Sequence, residues 1–579
     1  MIATPTRNAK LPLRLGRFAV LRDALDYAAH GDTGINFHDV RGRLQESMSY
    51  AQLRDRALAV AWRLHRGGHV TGTRIALIAE TGADFLAAFY GSQYAGLVPC
   101  PLPGRAPVGS VDAYVASLCR WLTRADASLL LVPQRLLGCA ALAAAGSGTT
   151  VSCYENLPRI PEEGHRDAPA PAHDVAYVQF SSGSTAEPKG VVVTQQALMA
   201  NATAIAQHGL RMHADDRAFS WLPLYHDMGL VGFSVVALCG QRSVDYLAPA
   251  SFAARPLQWL RLMSTQRSTI VYAPPFAWQI AAQRYGGEPD IDLSALRIAG
   301  IGGDMLEPSV LDTCMQKLAP AGLRTCAWQP SYGMAEATLA ISMTDVERPP
   351  TVDDVVLAYA KDGTPLAARS ARWRATRRLV GAGHTLPGIQ LEARSDKGAR
   401  LPDRHIGHLW VRGNSIMRHY LGETRDRCDE RGFFDTGDLG YLDDGEVFIT
   451  GRSKDMIPIR GRNVWLRDLE WRAERVRPLM PGDTAALAFD APADASLVLL
   501  VQRRIADAQE GSALAIRITE AILQALGVSV RVQFVPPRSL PHTTSGKLAR
   551  QELVRLYLSG ALQPAAAPDA PARDLEPTT

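Results

Sequence analysis

Apolar residues recur at helical spacing at Tyr50, Leu53, Ala57, Leu58, Ala61 and Leu64. They follow Ser49, which with Gln52 has the form of a capping box, so a helix is predicted from residue 50 onward. The short apolar runs Arg74–Ala79 and Leu129–Val132 read as buried strands, with a helix around Asp84–Tyr90 between them. Strands alternating with helices through the first 170 residues predict parallel α/β architecture. The Pro-, Glu- and Ala-rich stretch 160–172 predicts a loop before the strand Val175–Phe180, and the alternation then continues to about residue 345.

Residues 346–378 break this rhythm with Pro349, Pro350, Asp353-Asp354 and an Arg-rich end, and read as an insertion. From about 385 the pattern turns strand-rich, punctuated by Pro387-Gly388, Asp443-Asp444-Gly445 and Gly461-Arg462-Asn463. The predicted chain is α/β. A large N-terminal domain, 1–452, holds packed mixed and parallel sheets with helices and a β-rich subdomain at 385–452. A small α/β C-terminal domain follows at 453–560, and an Ala/Pro-rich tail, 561–579, is predicted to be disordered.

Composition narrows the classes. At 579 residues, 47% hydrophobic and 21% charged, the chain can bury a deep site without covalent cross-links. A net charge of +4 from 62 basic and 58 acidic residues, without a dense basic run, argues against nucleic acid as partner. The eight cysteines form no C-x-x-C pair and several sit in apolar surroundings, which points to buried thiols in a reducing compartment. No long apolar leader opens the chain and no 18 apolar residues run together, so no membrane span is expected and a cytoplasmic location is.

The strongest local signal is Tyr177-Val-Gln-Phe-Ser-Ser-Gly-Ser-Thr-Ala-Glu-Pro-Lys-Gly190. A strand feeds a loop of small hydroxyl residues around Gly183, then Lys189-Gly190 and a second strand, Val191–Thr194. Such a loop can wrap phosphates through N–H groups, hydroxyls and one lysine charge. It is not a Walker loop, because Lys189 precedes its glycine and no hydroxyl follows. Taken alone, a turn of this composition is as often a plain hairpin.

The loop resembles the signature of the adenylate-forming superfamily of acyl-CoA synthetases, luciferases and peptide-synthetase adenylation domains. Four later segments resemble that superfamily in the right order: Ser331-Tyr-Gly-Met-Ala-Glu-Ala-Thr338, Phe434-Asp-Thr-Gly-Asp438, Gly451-Arg-Ser-Lys-Asp455 and Thr543-Thr-Ser-Gly-Lys547. The resemblance spans roughly residues 15–558. It implies ATP and Mg²⁺ as cofactors, with the phosphates cradled by Ser181, Ser182, Gly183, Ser184, Thr185 and Lys189. Glu336, with Thr185, would hold Mg²⁺. Tyr332, beside Gly333 and Met334, would stack on adenine; Gly302 and Gly303 would let the backbone approach the base. Asp438 would accept the ribose hydroxyls, supported by Arg452. Lys547, on a small flexible turn, would bridge the acid and the α-phosphate, and Lys454 would be the hinge about which a mobile C-terminal domain turns.

Trp221-Leu-Pro-Leu-Tyr-His-Asp-Met-Gly-Leu230 resembles the fatty acyl-AMP ligase branch, with His226 at the mouth of an acyl channel that Ile270–Trp278 helps to wall. Fatty acyl-AMP ligases carry an insertion near the position of 346–378, which restrains the small domain and disfavours coenzyme A. The resemblance therefore implies activation of a fatty acid to acyl-adenylate and transfer to an acyl carrier protein, in polyketide, peptide or lipid biosynthesis. A coenzyme A-using synthetase is the alternative, and a non-catalytic acyl or nucleotide sensor a third. Two departures stand out. Gly302-Gly303-Asp304 replaces the usual Gly-Ala-Glu, and Gly381-Ala-Gly-His384 replaces Ser-Cys-Gly.

Overall fold

The computed structural model describes all residues except 1, 2, 7, 9, 10, 106–109, 158–169, 182–187, 360–364, 370–376, 460, 461, 490–495, 543–546 and 563–579. The first predicted helix runs Tyr50–Arg66, opened by reciprocal bonds between Ser49 and Gln52. The Ser49 hydroxyl accepts from the Gln52 N–H at 3.2 Å, and the Gln52 amide oxygen accepts from the Ser49 N–H at 2.8 Å. Its apolar face, Tyr50, Leu53, Ala57, Val60 and Leu64, is buried, because positions three and four apart share one side of a helix. The neighbouring helix Ala83–Tyr94 is buried almost all round, so its sequence carries no polar stripe.

The strands Val98–Leu102, Arg74–Ile78, Leu129–Val132 and Thr150–Cys153 form a parallel sheet in that order. Gly34–His38 and Leu44–Ser49 do not join it. They form a hairpin at the edge of a larger sheet, where Gly34–His38 runs parallel to Val244–Leu247. That larger sheet has a parallel centre: Val244–Leu247, Ala218–Ser220, Ile270–Ala273, Ile298–Ile301 and Trp328–Gly333. Trp259, Trp278 and Trp328 pack edge to face and tilted behind it, with ring centroids 4.6 and 4.9 Å apart.

After Trp328–Gly333 the chain reverses into Ala340–Met343, and the same sheet continues antiparallel through Arg377–Thr385, Glu446–Arg452, Phe434–Asp443, Gly407–Gly413 and Ile389–Arg394. The strand-rich region therefore begins earlier than residue 385. Within 346–378, Val352–Tyr359 pairs antiparallel with both Pro365–Arg369 and Arg377–Thr385. Pro349 and Pro350 precede the first of these strands, whereas Asp353 and Asp354 lie within it. Alternating Val355, Ala367 and Leu379 bury a small core with Tyr441 and Phe448.

Residues 456 onward build separate apolar clusters. A hairpin, Met456–Ile459 with Arg462–Trp465, leads into the helix Leu466–Glu474. A three-stranded sheet, Thr484–Phe489, Ser496–Gln502 and Arg531–Val535, is covered by the helices Ala508–Leu526 and Arg550–Leu558. One carboxylate, fully buried Glu470, organises this part. It accepts from the Ala486 N–H at 2.9 Å, Arg550 at 2.8 Å and Arg467 at 3.0 Å. The Arg550 Nε also lies 3.7 Å from Asp455. A buried charge needs such a full set of partners to be tolerated. The two parts of the chain touch through Arg377, which donates to Asp468 at 3.0 Å and to the Thr450 carbonyl at 2.7 Å. The Arg377 guanidinium also lies 4.4 Å from the Trp465 ring centroid, and Arg475 pairs with Glu307.

Candidate active site

The parallel strands end at one cavity of about 840 Å³, the place where open α/β sheets gather ligands. Its geometry depends on two glycines after Ile298–Ile301. A Cβ at Gly302 would stand 2.7 Å from the Ser331 hydroxyl, and Gly303 has φ +79° in the left-handed region.

One end of the cavity is charged, lined by Lys189, Glu336, Arg452, Lys454, Lys547 and the His226-Asp227 pair. The other end is apolar, lined by Ile205, Leu210, Met212, Phe233, Val236 and Ile270 among others. Two π-helical turns, Ile205–Gly209 and Leu230–Val235, shape the apolar wall; such turns widen a helix locally and are common at ligand sites. Of the predicted channel run, Ile270 and Tyr272 line the cavity, whereas Trp278 is buried behind the sheet, its indole N–H donating to the Gly300 carbonyl at 2.9 Å.

At the charged end, the Tyr332 hydroxyl donates to Asp438 at 2.7 Å, and the Arg452 Nε lies 3.5 Å from the other oxygen of that carboxylate. Burial raises the Asp438 pKa, against the pull of Arg452, the Tyr332 hydrogen bond and Lys547. Arg452 is held charged: burial opposes this, but Asp438 and Asp455 prevail. Burial also raises Glu336, whose carboxylate accepts from the Tyr420 hydroxyl at 2.8 Å. The Lys189 ammonium stands 5.1 Å from the centre of the Tyr420 ring. His226 Nδ1 lies 2.5 Å from Asp227, whose pKa is lowered because His226, the Met228 N–H and Lys547 together outweigh its desolvation. Burial and the nearby Arg452 lower Lys454.

The structure thus brings Lys189, His226, Gly303, Tyr332, Gly333, Met334, Glu336, Arg452, Lys454 and Lys547 to one cavity, with Asp438 bonded to a wall residue and Gly302 just behind. Ser181 ends the strand Val175–Ser181, while Ser182, Gly183, Ser184 and Thr185 lie outside the described residues. Three contributors were not singled out from sequence: Tyr420, Asp227 and Thr436. One sequence signal was available for the cations. The chain has only seven lysines, and Lys189, Lys454 and Lys547 all line this cavity. Among the described residues no group of three or more His, Cys, Asp or Glu side chains could by itself hold a metal. One cavity carboxylate, Glu336, fits a hard cation whose remaining ligands are phosphate oxygens and water. Among the described residues no helix is long and apolar enough to cross a membrane.

Residues 29–421 match the AMP-binding enzyme family. A Caulobacter vibrioides protein named "Putative acyl-CoA synthetase" is 40% identical over 570 residues, covering 97% of this chain and 99% of that one. The Moorena producens protein JamA, named a medium-chain-fatty-acid–[acyl-carrier-protein] ligase, is 29% identical over 94% of this chain and 96% of its own. A solved structure from a study of fatty acyl-adenylate ligases of E. coli and L. pneumophila superimposes with a TM-score of 0.88 at 38% identity, over 95% of this chain and 100% of that chain.

Proposed function

Because the chain belongs to the AMP-binding enzyme family and is an adenylate-forming fatty acid ligase, we propose that it passes its acyl-adenylate to the phosphopantetheine thiol of an acyl carrier protein. The observation that carries this reading is one cavity lined by both charged and apolar side chains. An acyl-adenylate has the same two-part character. The fatty acid tail would lie along Ile205, Met212, Phe233 and Val236, and the nucleotide along Tyr332, Asp438 and Arg452.

In the first step a carboxylate oxygen attacks the α-phosphorus, an O–P bond forms and pyrophosphate leaves. Two anions must meet, so fixed positive charge at that point lowers the barrier. Lys547 supplies it between the acid and the α-phosphate, and Lys189 holds the departing phosphates. Glu336 would hold Mg²⁺, which neutralises phosphate charge when bound. In the second step the thiol sulfur attacks the acyl carbonyl, its proton goes to solvent or a cavity base, and AMP leaves. Lys454 serves as the hinge that lets the unit 453–560 exchange one step for the other. The reaction would run in the cytoplasm and feed polyketide, peptide or lipid assembly.

Support for the carrier over coenzyme A comes from the name of JamA and from Arg377, which ties the 346–378 segment to Asp468 and Trp465 of the small unit. The name of the Caulobacter relative supports the coenzyme A reading instead. Incubation with ATP, Mg²⁺ and a ladder of fatty acids separates the two. Each reaction is split between coenzyme A and a phosphopantetheinylated carrier, with products read by mass spectrometry. Acyl-AMP that persists with coenzyme A but loads the carrier is the expected result; ready acyl-CoA formation overturns it.

A further inference from the structure

Tyr420 occupies a position that nothing in the motif set assigns. Its side chain is buried against the cavity, and the segment around it is stitched to both sides of the charged end. On one side Leu421 N–H donates to the Gly190 carbonyl at 2.7 Å, and Tyr420 bridges Val191. On the other, Met417 N–H donates to the Glu336 carbonyl at 2.8 Å, and the Thr338 hydroxyl donates to the Ser415 carbonyl at 2.8 Å. The ring then reaches both functional side chains, presenting its face to the Lys189 ammonium and its hydroxyl to Glu336.

From this geometry we infer that Tyr420 is a positioning residue that sets Glu336 and Lys189 in register, so that cation and triphosphate are bound as one unit. A carboxylate has about four lone-pair directions, and a hydrogen bond to one of them fixes the plane of the other oxygen. An aromatic face within about 6 Å attracts an ammonium electrostatically and limits where a flexible lysine points. The Arg427 guanidinium also lies over the Tyr420 ring at 5.5 Å and is itself bonded to Glu423 at 2.6 Å. That arrangement fixes the ring from its far neighbours as well. The inference rests on the nucleotide reading above and adds a residue to it.

The test is equilibrium binding of ATP, by calorimetry, with and without Mg²⁺, on the full-length protein. Wild type should bind ATP more tightly with Mg²⁺. Tyr420→Phe removes the hydroxyl and keeps the face, and should lose about tenfold of the Mg²⁺-dependent gain while Mg²⁺-free affinity stays within about twofold. Tyr420→Leu should weaken both. On a Glu336→Gln background the Phe substitution should have no further effect on the Mg²⁺ gain, the sign of one shared interaction. Tyr420→Phe with an unchanged Mg²⁺ gain overturns the inference, as does an equal effect on both backgrounds. A wild-type protein without Mg²⁺-enhanced ATP binding overturns the nucleotide reading itself, and this inference with it.

Discussion

Tyr332 and Asp438, 106 residues apart in the chain, are joined by a 2.7 Å hydrogen bond at the floor of the charged end. The bond crosses from the last parallel strand to the antiparallel part of the same sheet and ties the two together beside the cavity, the place where the proposed function puts the nucleoside. Burial raises the Asp438 pKa above its ordinary value of 3.8, so it loses its charge at a higher pH than an exposed aspartate does. ATP affinity, measured calorimetrically from pH 8 downward, should therefore fall before the usual carboxylate range is reached. Asp438→Asn should be weak at every pH and lose that dependence.

Lys547→Ala should cut adenylate formation by at least about a hundredfold, because it removes charge from the point where charge develops. Transfer from chemically prepared acyl-AMP to a carrier thiol should remain within about threefold of wild type. Separate single-turnover assays of the two steps read this split. Equal losses in both would mean that Lys547 holds the fold of its turn rather than serving the first step.

Glu474 gives a pH signature in stability. Burial raises its pKa from 4.5 to about 7, against the pull of Arg467. A raised acid pKa means that the folded state binds more protons, so this residue's contribution falls as pH rises from 4.5 to about 7, and the penalty is complete above that. Glu474→Gln keeps an acceptor for the Gly482 N–H and the Thr484 hydroxyl. It should be more stable than wild type by about 2 kcal/mol at pH 8 and unchanged near pH 4.5, after allowing for partial solvent screening. Thermal melts across that range decide the sign.

Arg377 and Asp468 should couple by about 1–3 kcal/mol in a double-mutant cycle, since their contact is largely buried and backed by Trp465. Arg377→Ala should speed hydrogen exchange in the helix Leu466–Glu474 and allow acyl-CoA to form. Faster exchange without acyl-CoA would separate restraint of the small unit from rejection of coenzyme A.

What was legible in the sequence was local. The Ser49–Gln52 cap, the apolar run Leu129–Val132 and the strands Val175–Ser181 and Lys189–Thr194 are each written within a few residues, so spacing alone finds them. Sheet membership was not: Gly34–His38 pairs with Val244–Leu247, about 200 residues away, and nothing at either place records the partner. The same holds for Tyr420, which meets Glu336 across 84 residues and sits among Arg418, His419 and Leu421 with no periodic signal. Residues 346–378 read as irregular for another reason. Short strands at a sheet margin tolerate the prolines and charges that a buried strand does not, so their sequence reads as irregular.

The buried Glu470 has a consequence for how the small unit works. Through Arg550 it joins Asp455, which follows Lys454 directly, to the start of the helix that follows Lys547. The residue proposed as the hinge and the lysine proposed to meet the α-phosphate thus both neighbour one internal strut. In the proposed rotation about residue 454, that strut would carry residue 547 along, so the hinge angle would set how far the ammonium reaches. Loosening that strut would blur the lysine's reach while leaving every residue that meets the nucleotide in place.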